Sequence, residues 1–108
     1  MLEVLAKTFG ALADPTRLAI VSRLSRGDAT MGELAEPHRI TPPAITKHVG
    51  VLVDAGLVRR RRVGRTVVCT LRPEALSEVE QWLGDLTTYW NSTLDRLEEL
   101  LRGDDDGH

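Results

Sequence analysis

Cysteine is nearly missing from this sequence, and Cys69 stands alone among 108 residues. One thiol excludes an internal disulfide framework and any multi-thiolate metal site. Long apolar runs are missing too. The longest spans only a few residues, so no transmembrane segment is expected. Met1-Leu2-Glu3 offers neither a basic stretch nor a cleavable apolar segment, so no signal peptide is expected, and the cytoplasm is the default location. The three histidines are scattered at positions 38, 48 and 108. No paired carboxylates, Ser-His-Asp set, glycine-rich phosphate loop or metal cluster can be assembled from the pattern, which argues against an enzyme and gives no catalytic residue, metal ligand or cofactor.

What is present is ordinary in bulk and uneven in detail. Apolar residues make up 42% and charged residues 28%, the composition of one soluble domain small enough to gain from a partner subunit. The net charge of −2 conceals a strong division. Residues 1–37 carry four basic and five acidic side chains, and residues 73–108 carry two basic and ten acidic. Between them, residues 38–72 hold eight arginines and lysines against the single acid Asp54, a local +7. A solvated face would normally mix signs, whereas a nucleic-acid footprint is local and of one sign.

Helix punctuation is dense in the first half. Leu2, Leu5, Phe9 and Leu12 recur at three and four residues, one stripe of a first helix. Asp14-Pro15 reads as an N-cap and first-turn proline for a second helix that buries Leu18, Val21 and Leu24 and stops at Gly27. Arg23 and Arg26 read as solubilising. Thr30 followed by Glu33 is a capping box opening a short third helix to about Glu36, with Leu34 and Ala35 inward. Pro37 to Ile40 leaves room only for a turn, with Ile40 plugging the corner, before Thr41-Pro42 caps a fourth helix. Two helices joined by a tight turn describe a helix-turn-helix, the unit that sets a helix into the DNA major groove.

In the fourth helix Ile45, Val49 and Leu52 fall on one face. Counting about 100° per residue from Ile45, Thr46 lies near 100°, Pro43 near 160° and Lys47 near 200°, away from the core. His48, near 300°, flanks the buried face and suits a core-edge hydrogen bond or a DNA contact equally. Gly50, near 140°, is outward and costs the helix roughly 1 kcal/mol relative to alanine. It admits either a close approach to phosphate or a tolerated imperfection.

After Gly56 the period shortens to two. Leu57–Val63 and Thr66–Leu71 form a β-hairpin about Gly64-Arg65, with arginines on its first strand and tip, a wing for the neighbouring groove. Arg60, Arg62 and Arg65 are its expected contacts. Alternation alone does not separate Arg60 and Arg62 from Arg59 and Arg61; the former are preferred because Leu57 and Val63 share the latter's face and are expected inward. A last helix follows Pro73, with Leu76, Val79, Leu83, Leu86, Trp90, Leu94, Leu97 and Leu101 in one stripe that Trp82 and Tyr89 widen. So much apolar area is expected to pack on a second copy, with Leu2, Leu5 and Phe9 beside it. Residues 103–108 read as a disordered acidic tail.

ALADPTRLAIV (11–21), GELAEP (32–37), ITPPAITKHVGVLVDAGLV (40–58) and VGRTVVCTL (63–71), taken in this order, resemble the ArsR-type winged-helix transcriptional regulators. Trp82-Leu83 and YWNSTLDRLEEL (89–100) resemble the family's non-metal branch. The resemblance implies a homodimer that binds a palindromic operator and usually represses. Many such regulators sense metals through a cysteine pair before the recognition helix or through histidines and acids on the last helix. Here the first place reads Glu33-Leu34-Ala35-Glu36, and the last helix has no histidine before the tail. Pro42 replaces a frequent glutamine and Gly50 a longer side chain.

The expected architecture is therefore mainly α with a β-hairpin, in the order α-α-α-α-β-β-α. One domain spans 1–102, with dimer helices at about 2–12 and 74–101. The expected DNA contacts are Thr41, Pro42, Pro43, Thr46, Lys47, His48, Arg60, Arg62 and Arg65. The expected dimer contacts are Leu2, Leu5, Phe9, Leu83, Leu86, Trp90, Leu94 and Leu97. An interaction module that turns the same fold to a protein partner is the competing reading. The effector is unknown, and Cys69 as a redox trigger is weaker than Cys69 as a small buried hydrophobe.

Overall fold

Four helices and a small sheet build the first part of the chain, and each element begins where a local side chain can satisfy its free amides. The computed structural model describes residues 2–106, with side chains through residue 103. Helix α1 spans Leu2–Leu12 and α2 spans Pro15–Leu24, the latter capped by Asp14, whose carboxylate accepts from the Arg17 amide at 3.0 Å. Helix α3, Met31–Ala35, opens with the full capping box. The Thr30 hydroxyl accepts from the Glu33 amide at 3.1 Å and the Glu33 carboxylate accepts from the Thr30 amide at 3.0 Å. A 3₁₀ turn at Glu36–His38 and Arg39 in a left-handed conformation (φ 52°) then lead to α4, Pro42–Asp54.

The end of α4 aims the chain into the sheet. Gly56 has φ +76°, its amide donates to the Val53 carbonyl at 3.0 Å, and the Leu57 amide donates to the Leu52 carbonyl at 3.0 Å. This is the Schellman pattern, with Leu52 and Leu57 both fully buried beneath it. Strands β2 (Val58–Val63) and β3 (Thr66–Leu71) follow, joined by a two-residue turn with Gly64 at φ +63°, the glycine-first pattern of a type II′ hairpin. A two-residue strand β1, Ala29–Thr30, pairs with the other edge of β3, giving the order β1-β3-β2. Local pattern could not show this strand, because it exists only through pairing with residues about forty positions away.

The core is one cluster that includes Ala11, Ile20, Leu24, Leu34, Ile45, Val49, Leu52, Leu57, Val58 and Cys69. Ile40 and Leu76 pack against its margin. Two expectations change here. Leu18 is 49% exposed and Ile20, at 1%, takes its place. Two residues are about 200° of helix rotation, so only one of the pair can face the core, and Ile20 shares its face with Leu24. In α1, Leu5, Thr8 and Ala11 are buried, the Thr8 hydroxyl donating to the Val4 carbonyl at 3.0 Å, while Leu2 and Phe9 stay exposed.

Helix α5 spans Pro73–Asp106. The chain divides into two units, 1–77 and 78–108, and the division falls inside this helix rather than at the end of its apolar stripe. In the second unit Leu83, Leu86, Trp90, Leu94 and Leu97 are 44–59% exposed. The helix also runs through Gly103 to Asp106, where a tail was expected; extending an existing ladder orders one residue per bond and needs no new nucleus. Gly107 and His108 lie outside the described residues.

The caps make two stability predictions. Thr30→Ala should lower the unfolding free energy by about 1 kcal/mol in urea titrations. The amide of Arg17 holds the Asp14 carboxyl below its ordinary range, and the Thr30 amide does the same for Glu33. Depressed carboxyl values stabilise above the unfolded value of about 4, and that stabilisation is lost as pH falls through the folded ones. Stability measured between pH 6 and acid should therefore fall less steeply in Glu33→Gln than in the parent.

Candidate nucleic-acid interface

Helix α4 is held with one face in the core and the other in water. Ile45, Val49 and Leu52 are buried, while Thr41, Pro42, Pro43, Thr46 and Lys47 are exposed on the opposite side. Thr41 is the N-cap, its hydroxyl oxygen accepting from the Ala44 amide at 3.3 Å, so its own proton stays available to an incoming acceptor. The Thr46 hydroxyl donates to the Pro42 carbonyl at 2.8 Å, which leaves that side chain its acceptor lone pairs and its methyl.

His48 is tied inward. Its Nδ1 lies 3.3 Å from an Arg17 guanidinium nitrogen and 3.9 Å from an Asp14 carboxylate oxygen. One ring nitrogen cannot accept from Arg17 and donate to Asp14 together, and the shorter contact makes Nδ1 the acceptor. Arg17 also donates to the Ala11 carbonyl at 2.6 Å at the end of α1. This tie spans α1, α2 and α4, so the core-edge role is the one the geometry gives His48, and a direct DNA role is not needed to explain it.

The wing places its arginines by register. Val58 lies opposite Leu71, Arg60 opposite Cys69 and Arg62 opposite Val67, and directly opposed residues share a face. Val58 and Cys69 are buried, so Arg60 and Arg62 extend from the core-facing side of β2 toward the start of α4. Val63 is 54% exposed. Of the two residues expected inward, Leu57 is fully buried and Val63 is not, and Arg60 and Arg62 share their face with the buried Val58. The pair nevertheless lies beside the helix, for Pro42, Thr46, Arg60 and Arg62 all line one cleft of about 640 Å³. Arg61 is held 3.4 Å from Asp28, whereas Lys47, Arg60, Arg62 and Arg65 have no hydrogen bond or ion pair among the described residues.

Two further residues near the site are Arg39, which was not among the expected contacts, and Cys69, whose expected burial the structure shows. Arg39 is exposed in a left-handed conformation that costs a non-glycine residue about 1 kcal/mol, and its charge sits one residue before the Ile40 plug. Its place in the basic block was the available signal. Cys69 is fully buried with its Sγ 3.4 Å from the Met31 Sδ, and burial pushes its thiol upward. That environment disfavours thiolate, the reactive form. Among the described residues no group of three His, Cys, Asp or Glu side chains is placed to hold a metal ion, and no helix is long and apolar enough to cross a membrane.

A helix-turn-helix followed by a basic β-hairpin defines a winged-helix domain for double-stranded DNA. The helix-turn-helix domain family matches residues 12–61. The HTH-type transcriptional regulator Rv2034 of Mycobacterium tuberculosis is 38% identical over 101 residues, covering 92% of each chain. The transcriptional repressor SdpR of Bacillus subtilis is 33% identical over 69% of this chain and 83% of its own. Among solved structures, the ArsR family transcriptional regulator RHA00566 superposes with a TM-score of 0.79 at 42% identity, covering 85% of this chain and 95% of that one. The chain belongs to the ArsR family of winged helix-turn-helix transcriptional regulators, and it is a DNA-binding regulator of transcription.

Gly50 can be tested without reference to DNA. A Cβ built there meets no atom within 4 Å, so nothing in the chain requires glycine. Gly50→Ala should raise stability by roughly 1 kcal/mol in thermal or urea unfolding. A simultaneous loss of DNA affinity would show that the backbone at 50 lies against the phosphates.

Proposed function

We propose that this regulator is a cytoplasmic homodimer that binds a palindromic operator through α4 and the wing, and represses transcription from it. The observation that carries the reading is a group of cations unpaired among the described residues, Lys47 on the outward face of α4, Arg60 and Arg62 in the cleft beside it and Arg65 at the tip of the wing, on a chain whose net charge is −2. Thr41 and Lys47 reach phosphates or base edges, Pro42, Pro43 and the Thr46 methyl offer apolar contact to thymine methyls, and Arg60, Arg62 and Arg65 follow the backbone or the minor groove. Two copies related by a two-fold axis set their recognition helices about 34–36 Å apart, one turn of DNA. Repression is in keeping with its relative SdpR, a transcriptional repressor.

The exposed stripe of α5 supports the dimer. Leu83, Leu86, Trp90, Leu94 and Leu97 lie along one side of the helix, and monomers seldom leave so long an apolar row in water. Leu2 and Phe9 of α1 offer further exposed apolar side chains, while Leu5, at 4% exposure, is already spent within the chain and contributes nothing to a partner.

Two measurements decide these readings. Fluorescence anisotropy with DNA from upstream of the gene should show affinity falling about 10³–10⁵-fold between 50 and 200 mM salt, as 6–10 phosphate contacts per dimer require. Binding equal at both salts would rule out the basic footprint. Leu94→Glu should convert the protein to a monomer in sedimentation velocity and weaken operator binding about a hundredfold or more, because the second half-site is no longer tethered. A dimer that survives this change would remove α5 from the interface.

A further inference from the structure

The cleft beside α4 has a floor that phosphate contacts do not call for. Behind Arg60 and Arg62 the lining is apolar: Met31 and Ala35 from α3, Ile45 from α4 and Val67 from β3. Phosphate backbones need donors and positive charge, not a hydrophobic recess. A volume of about 640 Å³ falls in the range of small-molecule sites, roughly 300–1,000 Å³, which pair an apolar body with a few placed polar groups. The polar groups here have a definite sign. Arg60, Arg61 and Arg62 all line the cleft, and Arg61 is paired with Asp28, which leaves Arg60 and Arg62 as the lining cations without an ion pair among the described residues, each a planar fork suited to an oxyanion. Met31 adds a flexible, polarisable wall that adapts to differing apolar shapes.

We propose that this cleft binds an amphipathic monocarboxylate, an aryl or alkyl acid, with the carboxylate on Arg60 and Arg62 and the apolar body over Met31, Ala35, Ile45 and Val67. Because Pro42, Thr46, Arg60 and Arg62 also belong to the DNA face, an occupied cleft withholds them from the operator. The ligand is an inducer by direct competition. This second step rests on the operator reading above; the first does not.

The chain supplies its own probe. It has two methionines, Met1 and Met31, and Met31 lines the cleft. With ¹³C-methyl methionine, naphthoate titrated into the full-length protein without DNA should move the Met31 methyl signal saturably, that signal being the one missing from Met31→Leu. Naphthamide, the same body without charge, should bind at least tenfold more weakly. Gly32 offers a way to fill the cleft: it lines the space, and a Cβ there meets only the Thr30 hydroxyl oxygen at 3.9 Å, an ordinary contact. Gly32→Leu should keep operator binding and abolish both the Met31 shift and the response of DNA binding to naphthoate. In the parent, naphthoate at ten times its dissociation constant should weaken apparent operator affinity about tenfold.

A Met31 signal that does not move, or that moves equally with naphthamide, overturns the site. Operator affinity unchanged at saturating naphthoate, or a Gly32→Leu protein that still responds, overturns the competition. Absence of DNA binding in the ligand-free parent would instead sink the operator reading, and the Met31 titration would still decide the cleft by itself.

Discussion

The guanidinium of Arg17 is the interaction on which the presentation of α4 depends. It donates to the Ala11 carbonyl at 2.6 Å, lies on a helix whose first turn is held by Asp14, and reaches His48 at 3.3 Å. The last carbonyls of α1 have no partners inside their own helix, and a cation there satisfies one and complements the helix dipole. The same side chain fixes the edge of α4 through His48. A helix can turn about its axis with little change in backbone energy, so burial of Ile45, Val49 and Leu52 sets its rotation coarsely, and a directional contact at the edge sets it finely. Rotation matters because Thr46 and Lys47 are adjacent in sequence to core and tie residues. A shift of one residue, about 100°, would exchange the DNA face for the packing face.

The parts of this arrangement that were legible in the sequence are those whose cause lies within about four residues. Asp14, Thr30 and Thr41 cap because their oxygens reach amides three positions on, a distance the chain guarantees. The inward face of α4 followed from its period. What could not be read depends on partners far away in sequence. Strand β1 exists only because Ala29 meets Cys69, and His48 acquired its role from Arg17, thirty-one positions earlier. The wing shows the difference most sharply. Alternation divided its arginines correctly into two sets, but which set faced the helices was decided by Val58 opposite Leu71, and Val63, near the tip, misled because apolar residues at hairpin ends are often exposed. In α2 the choice between Leu18 and Ile20 turned on the phase of a short helix with apolar residues on several sides.

Charge is organised at a longer scale than any of these contacts. A net −2 chain would be repelled weakly by DNA at a distance, yet the block from 38 to 72 carries +7 while 73–108 carries −8. At physiological salt, charges are felt over about 8 Å, so DNA responds to the segment it approaches rather than to the sum. The basic block is thus the segment whose field attracts the polyanion before any base is touched.

The same local charge explains why a small acid is a suitable antagonist of DNA here. Burial disfavours the Cys69 thiolate and sets its sulfur against Met31, a lining residue of the cleft, so that side chain packs rather than reacts. Arg60 and Arg62, by contrast, are solvent-facing and unpaired, and whatever anion holds them lowers the affinity for any other. Competition through shared groups needs no second conformation, and linkage makes it reciprocal: DNA weakens the acid by the factor with which the acid weakens DNA. It also sets a limit. Phosphates along an operator engage several cations at once, whereas a monocarboxylate offers one charge, so the apolar floor has to supply the difference in binding free energy. That is the physical reason for an apolar recess beside two arginines on the face proposed to meet operator phosphates.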